Sequence, residues 1–254
     1  MRPILFKLFG RNIYGYGTMI AVGVLAGVLL FSYRGKKRGI NEDKLFDLAI
    51  IALLSGVAGG KLLFLITEFK NLILNPDDIF KNFGSGFVVY GSIIGGVLGV
   101  YIFCYRKKWN VLTMFDLAVP SLALAQGFGR IGCFLAGCCY GKITDLAIGV
   151  KFAQNSLGPS DIYVLPTQIF SSVFDFLLAY FLLWYDKRNK QNGRVFSFYL
   201  IIYGIGRFII EFFRNDPRGN VGILSTSQFI GIFIVIIGIV LFNKDKLIKK
   251  KVNA

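Results

Sequence analysis

The sequence predicts an all-α, polytopic membrane protein with seven transmembrane helices and a small extracytoplasmic cap. Three observations carry that prediction. The mean hydropathy is +0.61 and 55% of the residues are hydrophobic, far more apolar than a soluble globular domain requires. Seven apolar runs are each about 18 residues or longer, enough to cross a hydrocarbon layer ~30 Å thick as helices. The segments between those runs alternate between rich and poor in lysine and arginine.

The runs are residues 14–32, 45–67, 86–105, 114–136, 166–185, 195–213 and 225–242. The first follows a basic amino end, as a signal peptide would, but it is 19 residues long and meets RGKKR, with no clear small-residue cleavage site. It is predicted to be a retained first span. The second run holds Gly59 and Gly60, and the third holds Gly91, Gly95 and Gly99 at four-residue spacing. Such a bare stripe lets another helix approach closely. Most connections are short, which predicts antiparallel neighbours. Two are longer, 68–85 and 137–165, and the second, 29 residues of mixed character, is the predicted outer cap. No internal repeat, low-complexity tract or long Pro/Gly linker divides the chain, so residues 1–254 read as a single integral membrane domain.

A net charge of +15 raises nucleic acid as a partner, and the placement of the charges argues against it. Of the 29 Lys and Arg, 17 fall after the first, third, fifth and seventh runs. Nine lie in the amino tail and after the even runs, and three (Lys61, Arg130 and Arg207) lie within runs. Cytoplasmic loops are the basic ones, so the amino end is predicted outside and KDKLIKKK inside. The basic clusters then serve topology and anionic membrane lipids.

Charged side chains within spans are costly and are functional by default. With the topology above and a rise of 1.5 Å per residue, Arg130 lies about 9 Å below the outer boundary, and Arg207 at the same depth. Tyr90, Tyr16, Glu68, Thr167 and Gln168 fall near that level, and Tyr203, Arg207 and Glu211 recur every four residues on one face of the sixth run. Polar groups from six runs thus collect in the outer third of the membrane. Two arginines from separate helices at equal depth suggest a phosphate site, because guanidinium binds phosphate in a fork and keeps its charge when partly dehydrated. At that depth the abundant phosphate belongs to lipid headgroups. The blander reading pairs Arg207 with Glu211 and lets Arg130 snorkel to the interface. Lys61, Asp175, Asp47 and Asp116 fall outside this level and receive no chemistry.

His is absent, which removes the usual neutral-pH base. Cys104 reads as a small packing residue. Cys133, Cys138 and Cys139 invite a metal reading, but zinc sites take four Cys or His ligands and these three have no matching fourth in sequence, so neither a metal nor another cofactor is expected. Packing around Arg130 or a redox-sensitive thiol at the outer rim are the remaining readings. A disulfide between the adjacent Cys138 and Cys139 would be strained.

Five segments occur in an order that resembles the bacterial prolipoprotein diacylglyceryl transferases, and the likeness covers nearly the whole chain. IYGYGTMIAVG is similar to that family's Tyr-Gly-containing first span, and GSGFVVYGSIIGG to its His-Gly-Gly segment. GRIGCFLAGCCYG resembles the Gly-Arg-x-Gly-Asn-Phe signature, LPTQIF the Pro-Ser/Thr-Gln-Leu-Tyr segment, and YGIGRFIIEFFRNDP the Tyr-x3-Arg-x3-Glu-Phe-x-Arg segment.

The resemblance implies transfer of the diacylglyceryl group of phosphatidylglycerol to the lipobox cysteine thiol in the signal peptide of a preprolipoprotein. A thioether forms and glycerol phosphate leaves, at the outer leaflet of a bacterial cytoplasmic (inner) membrane. It places the family's essential phospholipid-contacting arginine on Arg130 and its second arginine on Arg207, with Tyr203 and Glu211 beside it. The first-span tyrosine falls on Tyr16. Gly129, Gly132 and Cys133 of the signature, Cys138, Gln168, and Gly91 beside Tyr90 complete the implied substrate site. The family histidine is Tyr90 here, the signature asparagine is Cys133, the acidic residue five positions later is Cys138, and the glutamate after Pro-Thr-Gln is Ser171.

Thioether formation needs a thiolate, since a free thiol has a pKa near ~8.5. Two nearby arginines favour that form and stabilise the phosphate as its bond to the glyceryl carbon breaks. Arg130 is the first candidate for the second role and Arg207 the next. Tyr90 and Tyr16 are neutral donors to phosphate or glycerol hydroxyls, and the thiol proton passes to Glu211, Tyr90 or solvent. The departures keep two alternatives open: a diverged relative that moves a glyceryl or phosphoglyceryl group to another acceptor, and a non-enzymatic lipid-binding protein.

Overall fold

The computed structural model describes residues 3–69, 86–189, 191–215 and 219–252. Most of the predicted 68–85 connection, residues 70–85, lies outside them. The chain opens with an antiparallel hairpin of β1 (Ile4–Leu8) and β2 (Arg11–Tyr14), in which Leu8 faces Arg11. Its turn residues Phe9 and Gly10 both have positive φ, 46° and 76°, the geometry whose twist matches tightly paired strands. Helices α1 (Gly15–Lys37), α2 (Glu42–Thr67), α3 (Val89–Arg106), α4 (Val111–Ala136), α5 (Thr167–Arg188) and α6 (Arg194–Glu211) follow. A short hairpin, β3 (Asn220–Val221) and β4 (Leu224–Ser225), then leads into α7 (Thr226–Val252).

The sequence places no strand at either hairpin. Its seven apolar runs coincide with the seven helices to within a few residues, apart from the carboxyl ends of α1 and α7. Those two helices continue into RGKKR and KDKLIKKK, because lysine and arginine are good helix formers and cations suit a helix carboxyl end.

Among the described residues, six helices are long and apolar enough to span a bilayer, and the protein is a multi-pass membrane protein. The expectation of seven spans meets its exception in α6, only 18 residues long and carrying Arg194, Arg207 and Glu211. Leu25, Leu29, Leu54, Leu62, Ile66, Ile93 and Leu177 are each more than half exposed. Water would not tolerate such faces in this number, whereas lipid does.

The chain forms two compact units, Ser32–Met114 on one hand and Met1–Phe31 with Phe115–Ala254 on the other. In the first, α2 and α3 pack along the glycine stripe. A Cβ on Gly59 would fall 2.9 Å from the Gly95 Cα, and one on Gly99 would fall 2.7 Å from the Ser55 Cβ. The backbones touch because those positions carry no side chain. Asn41 caps α2, its Oδ1 accepting from the Lys44 amide at 3.2 Å, with Glu42 and Asp43 favourably placed in the first turn.

In the other unit, Val119 and Ala123 of α4, Leu178, Ala179 and Leu182 of α5, and Val195 and Tyr199 of α6 make the buried core. Close approaches recur here. A Cβ on Gly23 of α1 would meet the Ala125 carbonyl oxygen at 2.9 Å, one on Gly127 of α4 the Phe176 ring, and one on Gly204 of α6 Val235 of α7. Pro120 lies inside α4 and lacks the N–H that would bond the Asp116 carbonyl. The Asp116 carboxylate reaches the start of α6 and accepts from the amides of Gly193 at 2.5 Å and Phe196 at 2.7 Å. Residues 137–166 hold a few isolated bridges, Gly141 with Arg214 and Val164 with both Ile143 and Val150. They bury Phe152 against Phe134 and Tyr140.

Candidate active site

The end of α4 brings the signature arginine and the first thiols together by local rules. Gly137 adopts a left-handed φ of 81°. Its amide bonds the Phe134 carbonyl at 3.3 Å, and the Cys138 amide bonds the Cys133 carbonyl at 3.2 Å. This reversal sets the side chains of residues 133 and 138 against each other. Cys139 also has positive φ, 65°, uncommon for a residue with a Cβ, and the Sγ atoms of Cys133, Cys138 and Cys139 lie within 4.8 Å of one another. The following backbone is anchored from α5, where Thr167 Oγ1 donates to the Cys139 carbonyl at 2.8 Å and Gln168 Nε2 to the Cys138 carbonyl at 2.7 Å. Gln168 is 1% exposed, and its Oε1 has no hydrogen-bond partner among the described residues.

Arg130 sits one turn before Cys133, partly buried. Its electrostatic neighbours are Tyr203, Cys133, Asp175 and Cys139. Asp175, 2% exposed on α5, neighbours both Arg130 and Arg207. Arg207 Nη1 lies 2.8 Å from Glu211 Oε2, an ion pair out of line for a hydrogen bond, while Nη2 donates to Ser227 Oγ of α7 at 3.1 Å. Arg214 lies within electrostatic reach of Arg207 and of Cys139. A polar ladder backs the arginines. Tyr203 stacks on Tyr199 with ring centroids 5.4 Å apart, and the Tyr199 hydroxyl donates to Gln126 Oε1 at 3.1 Å. Ser172 Oγ, donating to the Gly127 carbonyl at 2.9 Å, ties α5 to α4 beside them.

The loop thiols differ from each other. Hydrogen bonding with the other two thiols, helped by Arg214 and Arg130, holds Cys139 well below the usual thiol range. Cys138, the donor in these hydrogen bonds and buried, is pushed up.

Of the residues singled out from sequence, Arg130, Arg207, Glu211, Tyr203, Cys133 and Cys138 belong to this neighbourhood. Tyr16, 44% exposed, joins it through electrostatic contact with the three thiols and Arg130. Gly132 lets α1 approach, since a Cβ there would meet the Tyr16 carbonyl oxygen at 3.2 Å, whereas a Cβ on Gly129 would enter open space. Gln168 is a buried anchor of the thiol segment. Tyr90 and Gly91 belong to the other unit, where Gly91 packs on Gly59. Sequence reasoning left Asp175 unassigned and did not single out Arg214. The signal for Asp175 was a lone carboxylate deep in an apolar run, and that for Arg214 its position three residues after Glu211.

Six helices of bilayer length define an integral membrane protein, and its partly buried arginines, two of them neighbouring the Asp175 carboxylate and with thiols close by, have the chemistry to bind an anionic group. The prolipoprotein diacylglyceryl transferase family matches residues 3–243, and the chain belongs to that family. It is 61% identical over 250 residues to a Clostridium tetani protein, covering 98% of this chain and 100% of that one, named phosphatidylglycerol--prolipoprotein diacylglyceryl transferase. A Clostridium perfringens protein named phosphatidylglycerol--prolipoprotein diacylglyceryl transferase 2 is 57% identical over 251 residues, 99% of this chain and 98% of the other. A Clostridioides difficile relative bearing the transferase name is 34% identical over 240 residues, 94% of each.

Proposed function

We propose that this protein transfers the diacylglyceryl group of phosphatidylglycerol to the lipobox cysteine of a preprolipoprotein, forming a thioether and releasing glycerol phosphate. The observation that carries the reading is the neighbourhood of Arg130, Asp175 and Arg207. Three arginines there, Arg130, Arg207 and Arg214, outnumber the carboxylates Asp175 and Glu211. A phosphodiester offers oxygens that guanidinium forks bind, and fixed guanidinium groups stabilise the further charge that grows on phosphate as the carbon–oxygen bond breaks. Asp175 and the Arg207–Glu211 pair keep the arginines apart and oriented when no lipid is bound.

In this reading Arg130 holds the phosphate that becomes the leaving group. Arg207, steadied by Glu211 and Ser227, takes a second phosphate oxygen, and Tyr203 and Tyr16 meet the glycerol hydroxyls. The open space at Gly129 admits the lipid beside Arg130. Tyr90 keeps the catalytic assignment, and Gly91 the substrate-binding one, that the family segment alone implies. Helix α6 is the seventh span, with Arg207 and Glu211 turned to this site and Arg194 at its opposite, amino end over the Phe242 ring. The amino end lies outside, the carboxyl end in the cytoplasm and residues 137–165 at the extracytoplasmic rim, as the distribution of basic residues supports.

The test is Arg130→Gln in vesicles containing phosphatidylglycerol and a lipobox peptide. Transfer falls by on the order of a hundredfold or more, the loss typical of removing one donor to a developing oxyanion, while the protein stays folded and inserted. An undiminished rate rejects the role.

A further inference from the structure

We propose that Cys133, Cys138 and Cys139 form a three-thiolate site for a thiophilic divalent cation, Zn2+ by chemistry, whose open fourth position takes the lipobox thiol of the acceptor. The inference rests on the transferase reading for its substrate and on the thiol geometry for its metal.

Three sulfur atoms within 4.8 Å of one another are nearly arranged for one ion. Zn–S bonds of about 2.3 Å in a tetrahedron place the sulfurs about 3.8 Å apart, so a contraction of up to about 1 Å suffices. The chain builds this arrangement with two backbone reversals, the left-handed Gly137 that sets residue 133 against 138 and the left-handed Cys139. Positive φ at a residue with a side chain costs on the order of 1 kcal/mol, and here it accompanies convergence of the thiols. Thr167 and Gln168 fix the carbonyls of Cys139 and Cys138 from buried positions on α5, the kind of outer support that holds metal ligands in place.

Three protein ligands and a vacant fourth position is the arrangement of catalytic zinc, whereas four protein ligands make a structural site. The reaction supplies a ligand of the right kind, since the acceptor is itself a thiol, and a thiol that coordinates such an ion gives up its proton. This answers the absence of histidine from the chain. The lipobox thiol joins the site and releases its proton to solvent. Its sulfur attacks the glyceryl carbon, the carbon–sulfur bond forming as the carbon–oxygen bond to phosphate breaks. The bonding pair stays on the phosphate oxygen, and glycerol phosphate leaves with one more negative charge than the phospholipid carried. No electron is gained or lost overall. A divalent ion on three thiolates leaves one negative charge, and Arg214 and Arg130 are the cationic neighbours of Cys139 that balance it.

The full-length protein, purified in detergent under reducing, oxygen-free conditions, is titrated with Zn2+ and, as a spectroscopic probe, with Co2+. Expected are one ion per chain, thiolate-to-cobalt charge-transfer absorption, and a further change in that absorption when a lipobox peptide is added but not its Cys→Ser counterpart. Cys133→Ser loses the ion, and Arg130→Gln keeps it. Chelator treatment of the wild-type protein, which needs no variant to fold, lowers transfer about a hundredfold, the scale of lost proton-transfer catalysis, and Zn2+ restores it. Absence of stoichiometric binding by the reduced protein overturns the proposal, as does full transfer by metal-free protein or by a variant with all three residues changed to Ser. A chain that holds the ion on these thiols yet transfers nothing from phosphatidylglycerol supports the site and overturns the transferase reading.

Discussion

Asp116→Ala removes a carboxylate that serves a different helix. Asp116 is 4% exposed on α4, and its two oxygens accept from the amides of Gly193 and Phe196 at 2.5 and 2.7 Å. Those amides belong to the start of α6, where no intrahelical acceptor exists. Gly193 has a φ of 87° and no side chain to cap with. Hydrogen bonds to a charged group contribute about 1.5–3 kcal/mol each, so losing both costs about 3–6 kcal/mol. At roughly 2–4 °C per kcal/mol for a chain of this size, the melting temperature falls by on the order of 10 °C. Asp116→Asn keeps one acceptor and loses about half as much. The assay is thermal unfolding in one detergent, followed by helical circular dichroism, with transfer activity measured well below the transition. Because Asp116 lies away from the arginines in sequence and in the helix, the folded fraction keeps its activity. An alanine variant that melts with the wild-type protein refutes the account of α6 as a helix capped from α4.

Other variants test the packing and the thiols. Gly95→Ala puts a Cβ 3.0 Å from the Gly59 Cα and against the Ser55 carbonyl, whereas Gly96→Ala meets Ala52 at an ordinary 3.6 Å. The first therefore melts earlier by an amount worth about 1–3 kcal/mol, the second is near neutral, and equal melting temperatures refute the close approach. Gly137→Ala combines a φ of 81° with a Cβ 2.8 Å from the Gly158 amide nitrogen. It costs about 1–3 kcal/mol and separates Cys133 from Cys138, which bismuth or arsenical cross-linking of the thiols detects as lost bridging. Cys139 lies below the ordinary thiol range and Cys138 above it. As pH falls from about 8.5, where free thiols titrate, Cys139 keeps its thiolate and continues to react with iodoacetamide after Cys138 has stopped. Tandem mass spectrometry at about pH 6 then finds the label on Cys139, and equal labelling of the two counts against the assignment.

The helices were legible because a bilayer demands uniform hydrophobic length, a pattern that survives without knowledge of contacts. The glycine stripe of α3 was legible for a similar reason, since spacing alone sets a bare face. The hairpin before α1 was not, because Phe9-Gly10 acquires its turn from backbone pairing, with apolar residues scattered on both faces of short strands. Arg130, Arg207 and Glu211 announced themselves by the cost of charge in an apolar run. Asp175 carried the same signal, but only the packing of α4, α5 and α6 into one core brings it within electrostatic reach of two arginines. Asp116 looked equally unexplained, and its role depends on an amide 77 positions away. The convergence of the cysteines was not legible, because it depends on the left-handed turns at Gly137 and Cys139. Three ligands read as an incomplete set until their convergence raised the question of what completes it.

Short hydrogen bonds run from the Gly141 amide to the Leu165 carbonyl and from the Lys142 amide to the Phe213 carbonyl, and the Asn215 amide reaches back to the Tyr140 carbonyl. The stretch after the cysteines is thereby laced to the chain immediately beyond Glu211. Lifting one edge to admit a bulky peptide drags the other, so Arg214 travels with the sulfur-bearing loop. Under the proposed transfer, any shift of the loop that the acceptor thiol approaches is transmitted to a cation through these backbone bonds.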